Sequence, residues 1–174
     1  MLSLESSFET RLAQDFLNHV GMDLQDNLEP LLKDWLEYYR NTAQPEIFKA
    51  HEGGSNGGGE HPRWKPLSAK YLASARKRLS PHAEDILQLS GDFRDSITRG
   101  SSQTNEHIVM TDQGGQVVFG SMLAYPAKAG AGEGGSRQAM YITTKTAQML
   151  ADIANHHLSG IIVKYRKASA RGTP

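Results

Sequence analysis

Apolar residues recur along this chain first at helical spacing, then at strand spacing, then at helical spacing again. Phe8, Leu12 and Phe16 stand four apart, as on one face of a helix, and Gly21 is expected to end it. Leu24, Leu28, Leu31, Leu32, Trp35, Leu36 and Tyr39 then follow a period near 3.6 residues. Asp23, Asp26 and Glu29 sit near the start of that stretch, where the helix dipole favours anions. Pro30 removes a backbone donor, so the second helix either kinks there or becomes regular only from that point. The pattern predicts two helices, over residues 4–19 and 23–41, with Pro45 beyond the second.

Residues 51–61 hold Gly, Ser, Asn, Glu and two His, with nothing to bury, and are expected to form a flexible loop. No Gly-Lys-Ser/Thr ends the loop and no apolar strand leads into it, so it is not a phosphate-cradling loop. Ser68 is placed to cap a helix from Ala69 to Leu79, with Tyr71, Leu72 and Ala75 as its stripe and Pro81 after its end. Ile86, Leu87 and Leu89 lead to the turn Ser90-Gly91-Asp92, and residues 94–99 are expected to enter a strand. Residues 107–111 and 116–120 alternate around Asp112-Gln113-Gly114-Gly115, a hairpin signal. Residues 126–138 read as a second long loop and residues 139–142 as a short strand. Thr143 or Thr144 caps a helix through Leu158, with Ala147, Leu150, Ala151, Ala154 and Leu158 as its stripe. Gly160 should stop it, residues 161–165 form a last strand, and the end is a loose basic tail.

The elements add up to an α+β fold: N-terminal helices plus a small, mostly antiparallel β-sheet packed against one or two helices. The organisation expected is a helical region over 1–50, a Gly-rich loop over 51–61, an α+β core over 62–166 and a basic tail over 167–174.

Composition narrows the chemistry. The 174 residues include no Cys, which excludes disulfides, thiolate metal sites and a Cys nucleophile. No apolar run approaches the roughly 18–20 residues that span a bilayer, and the start lacks a signal peptide's basic and apolar regions. A soluble, unexported protein without a membrane partner is expected. Net charge is zero but uneven: residues 1–60 hold 11 acidic and 4 basic side chains, a net of −7. The remainder carries +7. Such asymmetry orients subunits head to tail, or else each half carries a solvated face of one sign.

Candidate catalytic groups do not assemble into a motif. Asp152 and His156, four apart on a helix, can face one metal, but a third ligand is missing and no HExxH exists. His51 and His61 flank a loop with no further ligands. Ser90 lacks the G-x-S-x-G elbow, and Glu84 with Asp85, or Asp92 with Asp95, lack any mark of burial. A polar surface explains each of these. No enzyme activity, no metal and no cofactor is expected. Arg63, Lys65, Lys70, Arg76, Lys77 and Arg78, with Trp64 and Tyr71 interleaved, form the strongest basic cluster. Such a cluster either contacts a nucleic-acid backbone or forms a solvated face or subunit contact. Trp35, Tyr38 and Tyr39 lie too close in sequence for all to face the same side of one core; either they serve the core alone or one covers a partner surface.

Three segments occur in a telling order. Trp64, Pro66, Leu67 and Ser68 precede Tyr71 and a basic helix. Ile86 and Leu87 precede Gly91, Phe93, Arg94, Ser96 and Ile97. Val118-Phe119-Gly120-Ser121 precedes Tyr125, a glycine-rich loop and Arg137. Over residues 60–158 this resembles the phage virion morphogenesis family, the Mu-like tail-completion proteins. Phe93 stands where that pattern usually has Leu, and Pro126 where it commonly has Ala. The resemblance implies a structural virion protein that completes the tail or joins it to the head. It implies a homo-oligomer, a hexameric ring at the neck assembled in the host cytoplasm, beside other neck, tail-tube or connector proteins. It carries no catalytic residues. The alternatives are a tail-associated hydrolase, or a connector that touches DNA in the lumen through its basic segment.

Overall fold

The computed structural model describes residues 3–53, 55, 57–88, 90–111, 114–123 and 137–170, with side chains described from residue 18 to residue 167. Helix α1 (Ser3–Tyr38) runs on through a π-helical stretch (Tyr39–Ala43) into α2 (Gln44–Lys49). Two short helices follow, α3 (Ala69–Leu72) and α4 (Ala75–Arg78), then α5 (Asp92–Thr98). Strands β1 (Thr104–Thr111) and β2 (Gly114–Ser121) form an antiparallel hairpin, and α6 (Thr144–Ala170) closes the described chain. The fold is α+β as expected, with the hairpin as its two-stranded sheet.

Several expected boundaries move, each for a physical reason. The two N-terminal helices are one helix of 36 residues. Gly21 is exposed with open space around it, and a single helical glycine costs about 1 kcal/mol, too little to break so long a helix. Pro30 lies on the exposed side, where the carbonyl it leaves unpaired meets water. The second proline acts differently. Pro45 cannot donate to the Asn41 carbonyl, and the ladder widens just before it: the Gln44 amide reaches back five residues to the Tyr39 carbonyl. The Phe8, Leu12 and Phe16 side chains lie outside the described residues, as do Leu89, Tyr125, residues 126–136 and the tail from 171.

Residues 92–98 are helical rather than the third strand expected over 94–99. Phe93, Ser96 and Ile97 stand at spacings of three and four and are all buried, and Asp92 and Asp95 sit in the first turn. So short an apolar pattern fits either period; Gly91, at φ 93°, turns the chain into the helical one. Residues 139–142 pair with no strand among the described residues. Residues 161–165 continue α6 through Gly160 instead of forming a strand, and residues 167–170 of the expected tail are helical too. The stripe of α6 is also rotated from the expected one. Thr146, Leu150, Ile153, His157 and Ile161 turn inward, while Ala147, Ala151 and Leu158 are exposed. A stripe read from apolar residue types passes over His157, which is admitted because Asp34 of α1 binds it at 2.7 Å. The caps are as expected: the Ser68 hydroxyl accepts the Tyr71 amide and the Thr143 hydroxyl the Thr146 amide.

Helices α1 and α6 pack side by side, with the Trp35 indole donating to the Leu150 carbonyl at 2.8 Å. The hairpin lies on α1 so closely that a Cβ at Gly115 would come within 2.4 Å of Leu32. The main core gathers Ile47, Phe48, Trp64, Ile86, Leu87, Phe93, Ile97 and Ala139. The N-terminal helical region is therefore no separate unit, because α2 supplies part of that core.

Gly91 generates the first prediction. Its φ of 93° strains any side chain, and a Cβ there would lie 3.3 Å from the His82 ring. Gly91→Val should cost about 1 kcal/mol or more in urea unfolding. An unchanged midpoint would refute the assignment of the turn.

Candidate functional site

The site grows from Trp64, which is 1% exposed. Its indole N–H donates to the Gln138 carbonyl at 2.8 Å. One face stacks on the His51 ring at 3.7 Å and 13°, and Phe48 meets it edge-on at 6.0 Å. Phe48 in turn meets Phe93 edge-on at 5.8 Å. Arg137 stands one residue before Gln138 and donates to the carbonyls of Lys65 at 2.7 Å and Pro66 at 3.2 Å. The segment 64–66 is thus held across its backbone by 137–138, more than 70 residues away in sequence.

The middle segment completes the cluster. Ile86, Leu87, Phe93 and Ile97 fill the core beside Trp64. The Ser96 hydroxyl donates to the Phe93 carbonyl and accepts from the Ser121 hydroxyl, both at 2.7 Å, which ties α5 to the end of β2. Arg94 pairs with Glu52 at 2.9 Å. Leu67 packs on the core's rim, Pro66 and Ser68 are exposed, and Tyr71 is 40% exposed. The structure therefore brings Trp64, Pro66, Leu67, Ile86, Leu87, Gly91, Arg94, Ser96, Ile97 and Arg137 around one core and leaves Tyr71 on the surface. Tyr125 lies outside the described residues.

His51 was not legible as part of this. The expected loop with nothing to bury in fact starts at a side chain 1% exposed. Its Nδ1 lies 2.7 Å from the Ile47 carbonyl and its Nε2 2.9 Å from the Pro62 carbonyl. Each ring nitrogen faces a carbonyl, and the tautomer decides which of them donates. Ile47 is in the last turn of α2, where carbonyls lack helical partners. Gly57 lets the loop pass: at φ 88°, a Cβ would sit 2.5 Å from His51 Nε2 and 2.8 Å from the Pro62 oxygen. His61 also has a place, with Nδ1 2.6 Å from the Tyr141 hydroxyl. The four-residue spacing of Ile47 and His51, continuing α2, is the signal that points inward.

Among the six basic candidates, Arg63, Lys65, Lys70, Arg76 and Arg78 are exposed. Lys77 is not available to a partner, which corrects its place in the cluster. It is 1% exposed, and its ammonium donates to the carbonyls of Asp85 at 2.9 Å, Gln88 at 2.6 Å and His82. Burial lowers its pKa, opposed by the nearby Asp85. Three carbonyls match the three donors of an ammonium, so this lysine closes the irregular segment 79–88.

Behind the core, Trp35, Leu36, Tyr39, Phe119, Tyr141 and Leu150 line part of a groove of about 510 Å³. The Tyr39 hydroxyl donates to the Tyr141 carbonyl at 3.0 Å. Burial raises the pKa of both phenols. Asp152 accepts from Gln148 and His156 is exposed; among the described residues no three potential metal ligands converge. No described helix is long and apolar enough to cross a membrane.

Trp64→Ala should lose about 3–5 kcal/mol of stability, and Gly57→Ala should destabilise by breaking the His51–Pro62 contact. Thermal unfolding measures both, and a Trp64→Ala melting temperature equal to wild type would refute the anchor. The tyrosines set an alkaline limit. A raised folded pKa means stability is present below the unfolded value, near ~10, and is lost as pH rises through the folded one. The melting temperature should fall above about pH 10, and Tyr141→Phe, which cannot ionise, should fall less steeply. Identical slopes would count against a buried Tyr141. Set against known proteins, the chain matches no family model, no curated protein and no solved structure.

Proposed function

We propose that this chain is a structural phage virion protein that completes the tail or joins it to the head, acting as a self-assembling ring subunit without catalysis. One observation carries the reading. The segments that bear the resemblance, 64–68, 86–97 and 118–121 with Arg137, lie apart in sequence yet meet in one cluster: Trp64 on Gln138, Arg137 on Lys65 and Pro66, Ser96 on Ser121, and Ile86 and Ile97 in the core on which Phe119 packs; Tyr125 lies outside the described residues. Residues with scaffold roles are expected to meet in this way. The partners in this reading are further copies of the chain and neighbouring neck, tail-tube or connector proteins, and the place is the virion.

A second reading has its own support. Arg63, Lys65, Lys70, Arg76 and Arg78 are exposed and carry no ion pair among the described residues. A connector subunit with these cations toward a lumen would contact DNA through phosphates, with strong salt dependence.

Complementation of an assembly-defective phage tests the first reading. Trp64→Ala and Ile86→Ala should abolish particles, whereas Asp152→Ala with His156→Ala should leave plaque number unchanged. Native mass spectrometry of the purified chain should show a ring, sixfold if the resemblance holds. A strict monomer both in solution and in the particle sinks the reading. For the connector, replacing the five exposed cations by Gln should reduce DNA retention in low salt, and unchanged retention removes it.

A further inference from the structure

The hairpin is a sheet of two strands, so each strand has an outer edge. Which backbone groups face outward follows from one contact. The Met122 amide donates to the Gln103 carbonyl at 2.8 Å, and the register continues with Thr104 opposite Ser121. Bonded and non-bonded pairs alternate in an antiparallel ladder. Asn105 with Gly120, His107 with Val118 and Val109 with Gln116 therefore bond within the hairpin. The amides and carbonyls of Glu106, Ile108 and Met110 on β1, and of Gly115, Val117 and Phe119 on β2, point away from the partner strand. Among the described residues no backbone group pairs with them.

Native sheets protect such edges with Lys, Pro, bulges or short strands. Here both strands run eight residues in unbroken register. Neither contains Lys or Pro, and β2 contains no charged residue. The groove of about 510 Å³ opens beside β2, walled by Val117 and Phe119 on one side and by residues 138–142 on the other. On β1, Met110 lies on the face that also carries Val117 and Phe119 and is 38% exposed; Val109, 39% exposed, lies on the opposite face. Among the described residues the chain thus carries an unpaired strand edge beside an apolar groove, and on β1 a second unpaired edge with Met110 exposed on the same face of the sheet as that groove.

We propose that β2 and its groove receive β1 of a second copy of this chain, so that hairpins join head to tail in one continuous antiparallel sheet. This rests on the self-assembly proposed above and names its joint. Unlike edges meet, so the contact is heterologous, and repetition closes a ring when the rotation allows. The backbone supplies the bonds, and the groove takes the inward-facing side chains of the entering strand.

The test uses the full chain. The Met110 amide points outward, so Met110→Pro removes a donor from the edge and none from the hairpin ladder. Native mass spectrometry and hydrogen exchange are read together on wild type, Met110→Pro and Met110→Leu. Wild type and Met110→Leu should assemble, with slowed exchange at the Ile108, Met110, Val117 and Phe119 amides on assembly. Met110→Pro should keep its helical circular dichroism and lose assembly. Wild type that assembles while these amides exchange as fast as in the monomer overturns the joint and leaves the ring reading standing, whatever the proline variant does. Protection on β1 alone, in a two-fold dimer, also overturns it. Wild type that stays monomeric in solution and in particles overturns both.

Discussion

The contact on which the rest of this structure depends is the Trp64 indole against His51 and the Gln138 carbonyl. Three stretches of chain with little regular structure meet there: the end of α2, the extended run 62–68 and the approach to α6. None has a ladder of its own to hold it. A single side chain that buries a large apolar area and donates one hydrogen bond fixes all three at once. Phe48 and Phe93 extend the same aromatic stack to α5, and through Ser96 and Ser121 the placement of the hairpin follows.

Irregular backbone in an interior leaves carbonyls without partners, which is costly unless donors are supplied. This chain supplies them from basic side chains. Lys77 takes three carbonyls of 82–88, Arg137 takes two of 65–66, and His51 faces two more at Ile47 and Pro62. Part of the basic excess seen in the second half of the chain is therefore internal scaffolding. The same device explains how the region from 50 to 91 stays in place with only two helices of four residues each.

Legibility in the sequence tracks periodicity. The hairpin, the inward residues of α1 from Leu28 on, and the caps at Ser68 and Thr143 have local signatures and were readable. Residues 94–99 and 161–165 are expected as strands and are mostly helical, because short apolar or β-branched runs satisfy both periods. The deciding terms are tertiary: burial of Phe93 and Ile97 against Trp64, and burial of Ile161 in a helix already nucleated upstream. Trp64, Ile86, Leu87 and Gly91 were identifiable as scaffold residues. The burial of His51 and Lys77 was not, since each is a loop or surface residue by type, and the carbonyls that admit them, 4 to 11 residues away, converge only through the irregular turns of the folded chain.

Charge is the last step. The halves of opposite sign suggested head-to-tail steering between copies, yet several of those charges meet inside one copy. Lys164 binds Asp23, Lys145 binds Glu46, Arg94 binds Glu52 and His157 faces Asp34, each joining an acidic residue of the first 60 to the later part of the chain. The Lys164 ammonium, by hydrogen bonding, holds the Asp23 carboxyl below its usual range, and the Glu46 carboxylate holds Lys145 above its own. These pairs are largely solvent-exposed, so each adds little stability. Lys164–Asp23 and His157–Asp34 both join α6 to α1, and a slide of one helix along the other by one turn would separate both. The asymmetry left for a partner is therefore smaller than the sequence suggests. The five exposed cations between Arg63 and Arg78 carry no ion pair among the described residues and belong to that remainder.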